Sequence, residues 1–418
     1  MRFRKLASWL EWQSGLHPSA IDLGLERSAA VAKRLALDSL DAKVVSVAGT
    51  NGKGSCVATM DAILRCAGYS VGAYLSPHLL RYNERIRING EDVSDEALVA
   101  AFALVDEARG DTSLTFFEFG TLAAVVLFAQ AGVEIILLEV GLGGRLDAVN
   151  VFDADVSVLS AIDIDHVEWL GHDREQIGRE KAGIQRMGKP CVIGERTPPA
   201  SVINHGASLG APICLLGEDF HVRADETCWH WSSDRAVLDN LPLPALAGLH
   251  QLDNAATAMM AAYCLTGMLT HADACTGLRD TRLAGRFQVL RKNPDVIVDV
   301  AHNPHAARVL ASTLSVRPCR GRTLALVAMF KDKDISDSVR ALVDHVDEWY
   351  VTALDSPRGS TPTEALSRLI DMPNEVVLHT SESVREGYFR ALQQLRPDDR
   401  LIVFGSHQTV AEVLQLAC

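Results

Sequence analysis

The residues from Val44 to Ser55, VVSVAGTNGKGS, constrain this chain more than any other stretch. Val44 to Val47 is a short β-branched run that predicts a buried parallel strand. Gly49-Thr50-Asn51-Gly52-Lys53-Gly54-Ser55 follows, and then a helix-compatible stretch from Cys56 to Ala67. Strand, glycine-rich turn and helix form the setting that a phosphate-binding loop requires. The glycines let backbone amides crowd around phosphate oxygens, and the helix N-terminus adds its partial positive charge. Lys53 supplies a formal charge, and Ser55 a hydroxyl suited to magnesium. The strict G-x-x-x-x-G-K-[ST] spacing is not kept. Two residues separate Gly49 from Gly52, and Gly54 stands between Lys53 and Ser55. The alternative is a turn that only reverses the chain, but the flanking strand, helix and lysine favour the phosphate-binding reading.

Three further strands are expected downstream. Val71 to Leu75 leads into Ser76-Pro77-His78, Glu134 to Val140 carries Glu139 near its end, and Val156 to Ala161 runs toward Asp163-Ile164-Asp165-His166. In a doubly wound sheet the carboxyl ends of parallel strands share one edge, where ligands bind. That edge would collect Lys53, Ser76, Glu139 and His166, a plausible nucleotide–metal site. A charged strand end and a structural histidine are the plain alternatives for Glu139 and His166. Helices are expected at Met1–Leu16, Ser28–Leu37, Glu96–Arg109 and Thr121–Gln130, the last opened by Phe116 to Gly120. Another is expected from Asp173, with Gln176 as its capping partner, through Arg186. Residues 190 to 245 read as less regular, with Pro198-Pro199, Pro242 and Pro244.

An Ala-rich helix over Leu252–Thr266 precedes a second series of alternating strands and helices. The strands are Val296–Val300, Thr323–Met329, Trp349–Ala353, Glu375–His379 and Leu401–Phe404, with helices near 335–346, 361–370, 383–395 and 409–417. This pattern predicts a second parallel α/β domain. The 418 residues therefore read as two domains, 1–287 and 288–418. A net charge of −13 argues against broad nucleic-acid binding. No apolar run is long enough to span a membrane, and the start lacks a signal-like apolar core. The nine cysteines include no Cys-x-x-Cys pair, which fits reduced thiols in a cytoplasm.

Taken together, GTNGKGS at 49–55, YLSPHL at 74–79, LEVGLGGRLDAVN at 138–150, DHVEWLG at 165–171, GREKAGI at 178–184, GRFQV at 285–289 and DVAHNPHA at 299–306 are similar to one family. The chain resembles the folylpolyglutamate synthase group of the Mur-ligase superfamily, in particular its bifunctional bacterial members. The resemblance runs in order along essentially the whole chain, and the altered loop spacing is that family's own.

The resemblance implies an N-terminal P-loop Mur-ligase-type ATPase domain and a smaller C-terminal parallel-sheet α/β domain that closes on the site. It implies an ATP-dependent ligase that adds L-glutamate to dihydropteroate and to reduced folates through an acyl phosphate, with two magnesium ions. Thr50, Asn51, Gly52, Lys53, Gly54, Ser55, Asn254, Arg286 and Asp299 match its ATP contacts. Ser76, Glu139 and His166 match its metal ligands. Lys181 matches a lysine that is carbamylated, and His302 a residue beside the incoming glutamate and acyl phosphate. Asp22, Leu23, Gly24, Leu25, Thr115, Phe116, Phe117, Glu118, Arg145, Leu146 and Asp147 match its pterin-binding region, where aromatic rings suit a flat pterin. Phe116 to Phe119 would serve equally as core. The departures are Ser55 and Val149, each in place of a common Thr, and Asp163 where small residues are common. The resemblance also implies a monomer acting on small molecules, and the charge and lack of a long apolar run predict no nucleic acid or membrane partner. A monofunctional folylpolyglutamate synthase would share most of these motifs, and another Mur-type amino-acid ligase fewer.

Overall fold

The computed structural model describes residues 2–369 and 377–417. The chain divides into two compact units, the first made of residues 1–78, 82–245 and 252–282, the second of residues 79–81, 246–251 and 283–418. Residues 79–81, 246–251 and 283–287, expected in the first domain, therefore group with the second unit.

The first unit is built on an eight-stranded sheet: β1 (Lys43–Ala48), β2 (Val71–Tyr74), β3 (Ile86–Ile88), β4 (Glu91–Asp92), β5 (Ile135–Glu139), β6 (Val156–Leu159), β7 (Cys191–Ile193) and β8 (Ile213–Leu215). Its order is β4-β3-β2-β5-β1-β6-β7-β8. β3 and β4 are antiparallel additions at one edge, while β2, β5, β1, β6, β7 and β8 run parallel. The central strands are largely apolar because both of their faces are covered. Val44, Ile136 and Leu138 pack on the side of Phe119 and Phe128. Val45, Val47, Ile135 and Leu137 pack on the opposite side with Val57, Met60 and Met259.

Two differences from the sequence reading have local causes. The apolar helix spans Phe116–Ala131 and starts five residues early, because Thr115 and Glu118 form a reciprocal capping box. Thr115 Oγ1 accepts from Glu118 N at 3.2 Å, and a Glu118 carboxylate oxygen accepts from Thr115 N at 2.7 Å. Thr115→Ala is expected to cost about 1 kcal/mol of stability, the typical loss of an N-cap, read as a lower denaturant midpoint; an unchanged midpoint would contradict the capping role. The helix opened by Asp173 ends at Ala182 rather than Arg186. Beyond it, Gln185 N turns back to Ala182 O, while the Gly183 carbonyl accepts from Asn150 Nδ2 at 3.1 Å.

Residues 190–245 are also more ordered than expected. They contain β7, β8, the helix Ala200–Ser208 and an antiparallel sheet of β9 (Phe220–Ala224), β10 (Cys228–Ser233) and β11 (Val237–Pro242). Trp229 and Trp231 alternate inward from β10 and are fully buried. In the second unit, β12 (Gln288–Arg291) pairs antiparallel to β13 (Asp295–Val298), so that sheet is not wholly parallel. β13, β14 (Thr323–Val327), β15 (Glu348–Thr352), β16 (Val377–Ser381) and β17 (Arg400–Phe404) are parallel, in the order β12-β13-β17-β14-β15-β16. Residues 370, 375 and 376 of the expected helix and strand, like Met1 of the expected first helix, lie outside the described residues.

Candidate functional site

β1 lies between β5 and β6, and the loops after β2, β5, β1 and β6 leave the same edge of the sheet. The crossover from β1 to β2 runs toward one edge of the sheet and that from β5 to β6 toward the other, the kind of switch point where parallel sheets bind ligands. The loop after β1 runs through Gly49 to Gly52, and Lys53 opens the helix Lys53–Cys66.

Two glycines in this loop are sterically required. A Cβ on Gly49 would fall 1.9 Å from Ser160 Oγ, and one on Gly52, at φ 90°, would fall 2.6 Å from Asn254 Oδ1. Ser160 Oγ also donates to Asn51 O at 2.7 Å. Thr50 N donates to Ala161 O at 2.7 Å, and Thr50 Oγ1 donates to Asp163 O at 2.8 Å. The loop after β6 therefore buttresses the glycine loop. Lys53 Nζ curls over it, 3.0 Å from Gly49 O and 3.2 Å from Thr50 O. Gly54 and Ser55 are buried in the first helical turn.

Glu139 ends β5 and is only 4% exposed. It accepts from Ser76 N at 2.9 Å, so the β2 and β5 loops are tied together. Lys181, 3% exposed, reaches the underside of the loop, with Nζ 3.0 Å from Gly49 O. Burial, and then Lys53, pull its amine down to about 7. A carboxylate from Glu139 and the hydroxyl-bearing Ser76 form an oxygen donor set that suits a hard divalent cation. His166 stands in the left-handed conformation at φ 52° and is exposed at the start of the short helix Val167–Leu170.

The segments assigned to a pterin also meet. Gly24 N donates to Leu146 O at 3.2 Å. Arg27 pairs with Asp22 at 2.6 Å and with Glu118 at 3.1 Å, joining the Asp22–Leu25 segment to the capping box. Phe116 and Phe117 are half-buried, whereas Phe119 is core. The ring of Phe117 lies under Gly141, where a Cβ would fall 2.7 Å from it. Asp147 is buried, accepts from Leu142 N and Val149 N, and is pushed up to about 6 by that burial. Arg145 is exposed and pairs with Glu180 at 2.9 Å. Leu23 and Leu25 are half-buried beside them.

The sequence reading assigned no role to Arg27, Ser160 or Arg85. Arg85 Nε donates to His78 Nδ1 at 2.8 Å, and its guanidinium lies 5.6 Å from the Phe116 ring. Burial, then Arg85, lower His78 to about 4, which leaves it neutral. The arginines after Ser76-Pro77-His78 were the available signal for this cluster; the partners of Arg27 lie too far along the chain to be read locally.

In the second unit, Asp299 accepts from Phe287 N and Ala301 N, each at 2.8 Å. Desolvation raises its carboxyl, opposed by the guanidinium of Arg286. The two residues are thus electrostatic neighbours. His302 Nδ1 lies 2.8 Å from Val300 O, and its ring is 5.6 Å from that of His407. Asn303 caps the helix Pro304–Ser315 by accepting from Ala306 N at 2.8 Å.

A P-loop unit followed by a second α/β unit is the architecture of an ATP-dependent Mur-type ligase, and residues 285–407 match the family model "Mur ligase, glutamate ligase domain". The dihydrofolate synthase/folylpolyglutamate synthase of Escherichia coli strain K12 is 44% identical over 412 residues, 98% of this chain and 95% of the relative. The structure of E. coli FolC in complex with DHPP and ADP superposes with a TM-score of 0.94 at 43% identity, covering 99% of this chain and 97% of that one. The Yersinia pestis bifunctional folylpolyglutamate synthase/dihydrofolate synthase complexed with AMPPNP and Mn ion gives 0.92 at 43% identity, covering 99% and 98%. The chain belongs to the dihydrofolate synthase/folylpolyglutamate synthase family.

Proposed function

We propose that this chain is a bifunctional ligase, adding L-glutamate to 7,8-dihydropteroate and to reduced folates at the expense of ATP. The observation that carries the reading is the convergence at one sheet edge. Lys53 and the glycine loop, the buried Glu139 tied to Ser76, and Lys181 beneath the loop meet there.

In the first step a carboxylate oxygen of the acceptor attacks the γ-phosphorus of ATP. An acyl phosphate forms, and ADP leaves. In the second step the glutamate amine attacks the acyl carbon, the amide bond forms, inorganic phosphate leaves, and the amine loses a proton. The protein has little covalent chemistry of its own to perform, so positioning and charge neutralisation carry the rate. Lys53 and the amides from Thr50 to Ser55 hold the β- and γ-phosphates. Asn254, Arg286 and Asp299 hold the rest of the nucleotide.

Ser76, Glu139 and His166 are the residues that would hold magnesium, at two sites, and the ions would neutralise phosphate charge. Histidine is a soft partner for so hard an ion, so that assignment rests on the family likeness. Asp22, Leu23, Gly24, Leu25, Thr115, Phe116, Phe117, Glu118, Arg145, Leu146 and Asp147 bound the pterin region. Within it the carboxylates of Glu118 and Asp147 are already engaged, which gives those two a supporting role. His302 would serve the incoming glutamate, a role supported by the family likeness. Lys181 serves as its carbamate. The protein works as a monomer in the cytoplasm, a reading supported by the family likeness and by the free thiols of the eight described cysteines.

The test is phosphate release with ATP, magnesium and L-glutamate, adding either 7,8-dihydropteroate or a reduced monoglutamyl folate, with product masses. One glutamate added to each acceptor is the expected result. Turnover of the folate alone would reduce the protein to a polyglutamate synthase, and turnover of neither would overturn the reading.

A further inference from the structure

The antiparallel sheet β9–β11 is remote in sequence from every motif above, and its hairpin end gathers an unusual set of side chains. Asp225 lies in the β9–β10 turn, Cys228 opens β10, and His230 follows two residues later. The ligand atoms of Asp225, Cys228 and His230 all lie within 4.8 Å of one another. His230 Nε2 is 3.0 Å from Asp225 Oδ2, and Cys228 Sγ is 3.9 Å from that same oxygen.

A second observation bears on the histidine. The β10–β11 pairing shifts between Trp229 and Trp231, so that Trp229 faces Leu241 but Trp231 faces Leu238. The extra residue on β11 puts Asn240 in the left-handed region at φ 54°. Bulges of this kind re-aim a side chain. This one sets Asp239 Oδ1 2.8 Å from His230 Nδ1. A carboxylate on the far nitrogen of a histidine is the arrangement that fixes the tautomer and ring angle of a metal ligand.

We propose that Asp225, Cys228 and His230 bind a borderline-soft divalent cation of the zinc class, with Asp239 as the positioning residue of His230. The donor set of oxygen, thiolate and imidazole suits zinc, whose bonds of about 2.0–2.3 Å place tetrahedral ligands about 3.3 Å (N to O) and 3.6 Å (S to O) apart. The two separations from Asp225 Oδ2, 3.0 and 3.9 Å, lie within a few tenths of an ångström of those values, and the thiol and imidazole ligand atoms lie within 4.8 Å of each other. On binding, the Cys228 thiol and the Nε2–H of His230 give their protons to solvent, the Nδ1–H keeps its hydrogen bond to Asp239, and water takes the fourth position. The cation would pin the β9–β10 turn to β10, apart from the magnesium chemistry of the ligase.

The experiment is titration of the full chain with Co2+ in a thiol-free reductant, followed in the near-ultraviolet by the thiolate-to-cobalt charge-transfer band, with Zn2+ used to displace it. One equivalent is expected, with the band lost in Cys228→Ser. Asp239→Asn should bind about 10–100-fold more weakly, the usual effect of removing such a carboxylate. A chain that shows no band, or a band that survives in Cys228→Ser, would overturn the site and leave Asp225, His230 and Asp239 as an ion-paired hairpin end. Far-ultraviolet circular dichroism of each variant separates lost binding from lost folding.

Discussion

Lys53→Ala is expected to lower glutamate-dependent turnover by at least about 10³-fold, the scale on which a cation aimed at a transferring phosphoryl group acts. The side chain is held over the loop by Gly49 O and Thr50 O, so its charge already lies at the helix start where phosphates would be received. Charge on the γ-phosphoryl oxygens redistributes as the bond to ADP breaks, so the lysine should act more strongly in the transition state than in the ground state. ADP affinity should therefore fall much less than turnover, which calorimetry and single-turnover phosphate release can separate. Lys53→Arg should not restore the rate, because a planar guanidinium does not occupy the place of a compact ammonium. Glu139→Gln provides the companion measurement. It keeps an acceptor for Ser76 N but removes the buried negative charge, so the magnesium concentration needed for half-maximal rate should rise. A Lys53→Ala protein within tenfold of wild type would sink the loop assignment.

The parts of this molecule legible in its sequence are those in which a residue's role is decided locally. The glycine loop is one, since the apolar strand, the glycines, Lys53 and the helix follow one another directly in the chain. The central strands are another, because burial on both faces leaves continuous apolar runs such as Ile135–Leu138. What escaped the reading depends on distant partners or on overlapping signals. Arg27 stands in a stretch that looks like a loop, and the significance of its charge comes from Glu118, 91 positions away. The β9–β11 sheet was obscured by the prolines on both sides, although the alternation Trp229, His230, Trp231 has the period of a half-buried strand. The start of the Phe116 helix was legible as Thr115 and Glu118 at capping-box spacing, yet the run of aromatics drew the reading toward a ligand wall. Phe119 fills the core, while Phe116 and Phe117 stay partly open.

Lys181→Met is expected to give a protein that is more stable at neutral pH and almost inactive. In bicarbonate-depleted buffer the wild-type lysine is an amine buried under the loop, with its pKa at about 7 rather than 10.5. Burial is the main cause, because it penalises the ammonium, and Lys53 adds repulsion. Between those two pH values the unfolded chain binds more protons at this position than the folded chain. Stability from this group therefore rises as pH goes from 7 toward 10.5, and below 7 the full penalty remains. A shift of this size is worth roughly a few kcal/mol. Methionine carries no such penalty, so its denaturant midpoint should exceed that of the wild type at pH 7 and the two should converge as the pH is raised. The same lowered pKa leaves much of the amine neutral near pH 7, and only the neutral amine can attack CO2. In that reaction the N–C bond forms, one proton is released, and the side chain becomes an anion beside Lys53. Wild-type protein in ¹³C-bicarbonate should show a carbamate carbon resonance that Lys181→Met lacks, and turnover of CO2-depleted enzyme should recover on adding bicarbonate. Wild-type turnover in Lys181→Met would refute the assigned role, while a Lys181→Met protein less stable than wild type at pH 7 would refute the burial penalty.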